Sequence, residues 1–226
     1  GERDCSTQRR HQKLVEESPS PVITPEIRKS MSADAVKLAK AAGYYNAGTV
    51  EFIYDMERKQ YYFLEMNTRI QVEHPVTEMV NDLDLIALQI RVAAGEHLPF
   101  KQEDIKPKGH AIEVRINAED WQNNFSPCPG RISMYVSPSG KGVRVDSHCY
   151  AGYTIPPHYD SMIAKLIVHG TDRADALKIL EQALNEYVLD GIKTTIGFHQ
   201  RLIRDPRFVN NEITTKWVDD VFMKQG

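Results

Sequence analysis

The amino-acid sequence predicts an α+β fold, in which helices and short strands follow one another without a strict βαβ alternation. Apolar residues recur at helical spacing between residues 27 and 42, and two β-prone runs at 49–55 and 61–67 flank a short turn. Beyond residue 108 the sequence changes to short strand-like runs separated by Pro and Gly, and helical patterns return after residue 172. The sequence therefore predicts a mixed fold in two domains.

The first helix has clear sequence signals at both ends. Residues 24–26 are Thr, Pro and Glu, which supply an N-cap, a proline at the first helical position and an acid in the first turn. Gly43 supplies the stop. A further helix is predicted at 83–94 and is closed by Gly95.

A connector that contains Pro and Lys, at 102–108, separates the two predicted domains, which span residues 1–101 and 109–226. The second domain is predicted to contain strands first and helices afterwards. The strands are expected at 111–117, 132–136, 143–146 and 161–168, and the helices at 173–187, 196–204 and 215–223.

Composition and charge exclude several classes of protein. The chain has 226 residues, of which 41% are hydrophobic, enough for a substantial core, and its net charge of -3 gives no bulk attraction to nucleic acid or an anionic membrane. No apolar run approaches the ~20 residues needed to span a bilayer. Three widely spaced cysteines, Cys5, Cys128 and Cys149, match neither a disulfide framework nor a zinc site. They predict a reducing, cytoplasmic setting.

The sequence begins at Gly1 without an initiator methionine and runs directly into a basic cluster. We interpret this start as a cut through a larger protein. A residue left over from recombinant expression is the alternative explanation for Gly1.

The predicted hairpin brings two acids face to face if its five-residue turn is symmetric. In that register Ile53 pairs with Phe63, and Glu51 lies directly opposite Glu65 with Cβ atoms ~5 Å apart. Side chains alternate between the two faces of a strand, so Asn67 shares a face with Glu65.

Two opposed carboxylates repel each other, so a cation between them is favoured. The side chains of Glu51, Glu65 and Asn67 together form an all-oxygen ligand set, which suits Mg²⁺ or Mn²⁺. The alternative is a solvated strand face on which both acids point to water.

The segment that follows Asn67 adds a cation, an amide and another acid within seven residues, at Arg69, Gln71 and Glu73. An arginine beside a divalent metal is typical of a phosphate-binding site. The sequence therefore predicts an anion site after the hairpin.

Further positive charge lies in the basic cluster 9–13 and at Arg115, which is flanked by apolar residues in a predicted strand. A charged residue in such a strand needs a partner. For the cluster, a solvated surface is the alternative to anion binding. For Arg115, the alternative is a structural ion pair with Glu113 or Glu119.

Several stretches of the sequence resemble the biotin carboxylase family, and the similarity extends over essentially all 226 residues. They are ERDCS at 2–6 with QRRHQK at 8–13, FLEMNTRIQVEHPVTE at 63–78, GHAIEVRINAED at 109–120 and YDSMIAKL at 159–166. The resemblance implies that 1–101 is the C-terminal part of an ATP-grasp domain and that 109–226 is a biotin carboxylase C-terminal domain.

The resemblance also implies roles for residues that contact the metal and the nucleotide. Glu51, Glu65 and Asn67 match the family's metal ligands, which hold the ATP phosphates. Gln8 and His11 match its nucleotide contacts.

The bicarbonate and biotin contacts come from a second set of residues. Lys13, Arg69, the backbone of Val72 and Arg115 match the family's bicarbonate site. Glu73 matches the general base that acts on bicarbonate, and Arg115 also matches the group that stabilises the biotin enolate.

The activity implied by the resemblance is ATP-dependent carboxylation of biotin with bicarbonate through carboxyphosphate, within acetyl-CoA carboxylase or a related enzyme. The implied cofactors are ATP, Mg²⁺ or Mn²⁺, bicarbonate, and biotin attached to a carrier protein. The implied partners are a biotin carboxyl carrier protein or domain, a carboxyltransferase component and a second copy of the chain in a homodimer.

The sequence departs from the family in lacking its N-terminal domain, glycine-rich lid and ATP-clamping lysines, so the fragment alone is expected to be inactive. Two alternatives stay open. One is another ATP-grasp ligase, against which Arg115 and the segment 159–162 argue, and the other is a noncatalytic assembly or dimerisation module of a carboxylase.

Overall fold

The computed structural model describes residues 1–225 and divides the chain into two compact units. The first unit contains Gly1–Arg3 and Ser18–Lys108, and the second contains Asp4–Glu17 and the chain from Gly109 onward. Helices and antiparallel strands are mixed, which confirms the predicted α+β class.

The strands of the described residues are β1 (Asp4–Arg9), β2 (Gln12–Ser18), β3 (Thr49–Asp55), β4 (Gln60–Asn67), β5 (His110–Asn117), β6 (Glu119–Asp120), β7 (Ser126–Pro127), β8 (Gly130–Arg131), β9 (Met134–Val136), β10 (Val143–Ser147), β11 (Thr154–Ile155), β12 (Met162–Gly170) and β13 (Val188–Asp190). The α-helices are α1 (Pro25–Ala41), α2 (His74–Asn81), α3 (Leu85–Ala93), α4 (Arg173–Glu186), α5 (Ile196–Leu202), α6 (Pro206–Val209) and α7 (Trp217–Asp220). Short 3₁₀ turns lie at Gln102–Asp104, Trp121–Asn123 and Phe222–Gln225.

Helix α1 begins and ends where the sequence predicts. The Thr24 side chain accepts a hydrogen bond from the backbone N–H of Ile27, and Pro25 occupies the first turn. Gly43 follows the helix with a φ of 60°, a conformation that favours glycine.

The β3–β4 hairpin confirms one predicted pairing and corrects another. Glu51 lies opposite Glu65 as predicted, but Ile53 pairs with Tyr62 and not with Phe63. The connecting turn is four residues long, so the pairing near the turn is shifted by one. A β-bulge between Phe52 and Glu51 then restores the predicted register, because β4 carries one extra residue there.

The second unit is built on a five-stranded sheet in the order β1-β2-β5-β12-β10, in which the pairs β1–β2, β5–β12 and β12–β10 are antiparallel. Helix α4 packs on β12 and β5 and contributes Ala176, Leu180, Ala183 and Leu184 to the core. The core also includes the apolar residues of β5 and β12 and the aromatic side chains Phe198, Phe208, Trp217 and Phe222.

A cluster of buried charges joins β2, β5 and α4. Glu17 accepts hydrogen bonds from His110 Nε2 at 2.7 Å and from Arg173 Nε at 2.7 Å. Burial alone raises the pKa of Glu17, but the hydrogen bonds from His110 and Arg173 outweigh it and keep the pKa below its ordinary value.

The β1–β2 hairpin belongs to the second compact unit, whereas the sequence places it in the domain 1–101. The reason is that β2 adjoins β5 in the large sheet and buries Leu14 and Val15 in its core. The compact units therefore differ from the predicted domains at this hairpin, and the domain division itself stays a prediction.

Several elements lie outside the sequence prediction. The sequences of strands β1 and β2 are largely polar, so they lack the alternation of apolar and polar residues that predicts a strand. Helix α2 begins at a His-Pro pair without a side-chain N-cap, so no capping residue marks its start. The predicted helix 83–94 begins two residues later, at Leu85, where Asp84 caps it. Among the described residues, no helix is long and apolar enough to cross a bilayer.

Candidate functional site

The β3–β4 hairpin of the first unit brings together the three predicted metal ligands. The Asn67 amide nitrogen lies 3.1 Å from Glu51 Oε1 and 3.1 Å from Glu65 Oε1, and it donates to both carboxylates. The bulge and the cross-strand register place the two acids on one side of the sheet, because each lies opposite the other. Asn67 therefore bridges the pair.

The donor set fits a divalent cation after one change at the amide. A hard cation between the carboxylates needs the amide oxygen of Asn67, which in the structure accepts from Arg69 Nη2 at 3.2 Å. A half-turn of the amide group about its terminal torsion presents this oxygen to the carboxylates. Among the described residues, no three His, Cys, Asp or Glu side chains are grouped so as to hold a metal, and this set combines two carboxylates with one amide.

A second layer of hydrogen bonds orients Glu51. Gln71 Nε2 donates to Glu51 Oε1 at 2.6 Å, and Arg3 Nη2 donates to Gln71 Oε1 at 2.9 Å. Arg3 also donates to Thr49 Oγ1 at 3.0 Å and to Thr77 Oγ1 at 3.1 Å. The sequence assigns no role to Arg3, because its partners lie 46 to 74 residues away along the chain.

The segment after the hairpin carries the other predicted residues of this unit. Arg69 is exposed and donates to the carbonyl of Ile70, while Val72 is half-buried. Glu73 is buried at the N-terminus of α2, where the helix dipole favours a negative charge. This segment thus carries an exposed guanidinium, suited to binding an anion, and four residues later a buried carboxyl, suited to acid–base chemistry.

In the second unit, the β1–β2 hairpin carries three predicted residues. Gln8 and Lys13 lie directly opposite each other across the strand pair. His11 lies in the two-residue turn, which requires positive φ angles of 47° at Arg10 and 64° at His11. The turn projects His11 into solvent, and Lys13 is half-buried.

Arg115 lies on the central strand β5 and forms an ion pair that the sequence does not identify. Its Nε donates to Glu16 Oε1 at 2.6 Å, and Glu16 is fully buried. The sequence pattern instead suggests Glu113 or Glu119 as structural partners. Glu16 comes from the neighbouring strand β2, and strand neighbours separated by 99 residues are not evident from sequence spacing.

The backbone carbonyl of Arg115 is fixed by two side chains from the start of α5. His199 Nε2 lies 2.8 Å from this carbonyl, and Thr195 Oγ1 donates to it at 3.0 Å. Thr195 Oγ1 also accepts from the backbone N–H of Asn117 at 2.9 Å. His199 is fully buried, and burial lowers its pKa to about 4. His199 is therefore neutral at pH 7.

A second cation lies beside Arg115 on the same sheet. Lys165 of β12 is the cross-strand partner of Arg115, and its Nζ lies 3.5 Å from Asp146 Oδ2 on β10. Arg144 donates to the same carboxylate at 2.8 Å. Hydrogen bonding and ion pairing with Arg144 and Lys165 outweigh burial and keep the pKa of Asp146 below its ordinary value. Arg115 and Lys165 are therefore neighbouring cations that each pair with a carboxylate, Glu16 and Asp146 respectively.

Two family models together match most of the chain. The model of the carbamoyl-phosphate synthase L chain ATP-binding domain matches residues 1–101, and the model of the biotin carboxylase C-terminal domain matches residues 113–220. Biotin carboxylase 1 of Bacillus subtilis is 59% identical over 219 residues, which are 97% of this chain and 49% of that protein. The chain belongs to the biotin carboxylase family.

Further members of the biotin carboxylase family are similar to this chain over about the same share of their length. The biotin carboxylase of a Nostoc species is 54% identical over 221 residues, which are 98% of this chain and 49% of that protein. The solved biotin carboxylase domain dimer of Hydrogenobacter thermophilus 2-oxoglutarate carboxylase, a complex with MgADP, ADP and bicarbonate, has a TM-score of 0.94 and 50% identity. The match covers 97% of this chain and 48% of the Hydrogenobacter domain. The chain thus spans about half the length of the relatives that it matches.

Proposed function

We propose that this chain supplies the metal-binding and bicarbonate-activating residues of a biotin carboxylase, which uses ATP to attach a carboxyl group from bicarbonate to biotin. The observation that carries the proposal is the grouping of Glu51, Glu65 and Asn67 on one hairpin, followed directly by Arg69 and the buried Glu73. This arrangement combines an oxygen-ligand set, a cation and a base, which phosphoryl transfer to an oxyanion requires.

In this proposal the hairpin residues bind Mg²⁺ or Mn²⁺. The two carboxylates and the rotated amide of Asn67 supply the protein ligands, and Gln71 keeps Glu51 in its ligating orientation. When bound, the metal neutralises charge on the phosphates of ATP.

Bicarbonate is a poor nucleophile, so it must be positioned and deprotonated. We assign the neutralisation of its charge to Arg69 and Lys13, with a contact from the backbone of Val72. Glu73 takes the proton as a bicarbonate oxygen bonds to the γ-phosphorus and ADP leaves, which yields carboxyphosphate. Gln8 and His11 are assigned to the nucleotide.

Carboxyphosphate breaks down to CO₂ and phosphate, the released phosphate takes a proton from the ureido nitrogen of biotin, and that nitrogen then attacks CO₂. Arg115 is assigned to bicarbonate and to the enolate form of biotin, because a guanidinium stabilises developing oxyanion charge. Glu16 fixes the direction of this guanidinium through its Nε hydrogen bond. His199 and Thr195 fix its backbone.

We propose as partners a biotin carboxyl carrier protein or domain, a carboxyltransferase component, and a second copy of the enzyme in a homodimer. The dimeric biotin carboxylase domain of the Hydrogenobacter enzyme supports the last of these. The domain division at 101 and 109 and the cytoplasmic setting also stay predictions.

The test uses a joined enzyme, in which this chain replaces the matching half of Bacillus subtilis biotin carboxylase 1. We expect the joined enzyme to release ADP in a manner that depends on bicarbonate and free biotin. A properly folded joined enzyme without this activity would contradict the proposal and favour a noncatalytic assembly role.

A further inference from the structure

The turn of the β1–β2 hairpin has a backbone conformation that its two residues disfavour. Arg10 and His11 have φ angles of 47° and 64°. Asn-Gly is the residue pair that adopts such a turn most readily, because a Cβ atom is crowded in the left-handed region. Left-handed backbone at other residues persists only where surrounding contacts hold it. The turn therefore depends on contacts from outside the hairpin.

Helix α7 of the same unit supplies the first of these contacts. The backbone N–H of Arg10 donates to Asp219 Oδ2 at 2.9 Å, and Arg9 Nε lies 3.7 Å from Asp219 Oδ1. The helix is itself fixed, because Trp217 and Val218 are buried in the core of the second unit. Asp219 therefore ties the turn to a well-packed part of that unit.

Residues 124 and 125, which follow a short 3₁₀ turn, supply the second contact. Arg9 Nη2 donates to Asn124 Oδ1 at 2.6 Å, and Arg10 Nη2 donates to the same oxygen at 3.3 Å. The Arg9 guanidinium carbon lies 4.3 Å from the centre of the buried Phe125 ring, within the range of a cation–π contact. Asn124 and Phe125 have φ angles of 54° and 58°. One set of contacts therefore joins two left-handed segments.

We propose that Asp219 and Asn124 are positioning residues, which hold the β1–β2 turn so that His11 and Gln8 meet the nucleotide in one fixed geometry. This role rests on the proposed function, which assigns His11 and Gln8 to the nucleotide. His11 lies within the turn, and Gln8 lies directly before Arg9 on β1. A turn that is ordered before the nucleotide arrives loses less conformational entropy on binding, so the nucleotide binds more tightly.

The test is the affinity of the joined enzyme for MgADP, measured by isothermal titration calorimetry. Asp219→Ala removes the acceptor of the Arg10 N–H and should raise the Kd for MgADP ~5-fold or more. Asn124→Gly keeps a left-handed backbone but removes the shared acceptor, so it should cause a similar loss. Asp219→Asn keeps an oxygen for the Arg10 N–H, so its Kd should stay within ~2-fold of the unsubstituted value.

Asp220→Ala is the matched control, because Asp220 is the next residue of α7 and its carboxylate lies 4.0 Å from Lys224 Nζ. It should leave the Kd unchanged. Asp219→Ala is also combined with His11→Ala. If Asp219 acts through the turn, it should weaken MgADP binding less when His11 is already absent, because the two substitutions remove parts of the same interaction.

Thermal melts of each variant establish that the joined enzyme still folds. If Asp219→Ala does not fold, Asn124→Gly replaces it in both comparisons. The positioning role is overturned if the folded variants bind MgADP as tightly as Asp220→Ala does. It is also overturned if the effects of the Asp219 and His11 substitutions are fully additive, since Asp219 then does not act through the turn.

The same titrations separate this role from the proposed reaction. A joined enzyme that shows the expected pattern of MgADP affinities, but releases no ADP with bicarbonate and biotin, would contradict the reaction and support the positioning role. An active joined enzyme whose variants bind MgADP like the control would overturn the positioning role alone. A folded joined enzyme that binds no MgADP would overturn both.

Discussion

At the scale of single residues, the paired carboxylates of Glu51 and Glu65 are bridged by a neutral amide. Asn67 donates to both, and Gln71 adds a second neutral donor to Glu51. Neutral donors satisfy hydrogen-bonding capacity but leave two negative charges side by side. A divalent cation would remove that repulsion, which is why this pair is the natural position for a metal.

Replacing Glu65 by Gln tests this position. Glu65→Gln removes one charged ligand and keeps the size of the side chain, so the joined enzyme should need ~10-fold or more Mg²⁺ for half-maximal activity. Glu57→Gln, at the exposed tip of the same hairpin, is the control and should change nothing. An unaltered Mg²⁺ dependence in a Glu65→Gln protein with a normal melt would exclude the metal role.

Glu73 is the proposed proton acceptor, and its side chain is buried. Glu73→Gln keeps the shape and removes the base, so turnover should fall by ~10²–10⁴-fold while the KM for ATP changes little. Initial-rate kinetics of the joined enzyme measure both quantities. If turnover is unchanged, Glu73 is not the base, and a rise in KM alone would point to a binding role instead.

At the scale of elements, the sequence predicts those helices and strands whose ends carry capping residues or turn residues. Helix α1 has a Thr-Pro-Glu start, and β3–β4 has two β-prone runs around a turn. The bulge in this hairpin has no such signal, since it depends on which residues face each other across the strands. The Glu51–Glu65 pairing is nevertheless predicted correctly, because a shorter turn and an extra residue compensate for each other.

Strands that form through contacts with residues distant in sequence cannot be predicted from local sequence patterns. Strand β2 is polar at many positions, but it is a strand because it adjoins β5 and pairs Glu16 with Arg115 and Glu17 with His110. Those partners lie more than 90 residues away. No local pattern encodes such contacts, so the partner of Arg115 could not be predicted from strand spacing.

The contact of α5 with β5 makes the stability of the chain depend on pH through His199. Burial lowers the pKa of His199 from 6.5 to about 4. The unfolded chain therefore binds a proton below pH 6.5 while the folded chain does not, and stability falls as the pH falls from 6.5 to about 4. This group alone should cost about 3 kcal/mol of unfolding free energy across that window.

His199→Gln provides the comparison, because Gln offers an N–H donor to the Arg115 carbonyl and does not titrate. Urea unfolding at pH 7 and pH 4.5 should show a smaller loss of stability for this variant than for the parent chain. Equal losses in both proteins would mean that His199 does not contribute to the acid sensitivity.

At the scale of the whole molecule, each unit carries a different share of the proposed chemistry and a different share of the core. The second unit buries nearly all apolar side chains that the described residues bury, and it carries Arg115, Lys13, Gln8 and His11. The first unit carries the acids and Arg69 but buries little. Folding and catalysis should therefore be separable in this chain.

We expect the 226-residue chain alone to melt cooperatively and to show no biotin-dependent ADP release. The core of the second unit supports folding, whereas phosphoryl transfer needs a site that excludes water and positions ATP, and the chain spans only about half of its relatives. A melting curve and an ADP-release assay on the same sample check both parts. Turnover close to that of a complete biotin carboxylase would contradict the expectation that the chain alone is inactive.

ADP release by the joined enzyme, measured with and without bicarbonate and free biotin, tests most directly whether this sequence supplies the catalytic residues of biotin carboxylation. We expect release that requires both substrates and that falls by ~10²-fold or more in Glu73→Gln. Release that is independent of biotin, or no release from a folded joined enzyme whose Bacillus parent is active under the same conditions, would contradict the claim.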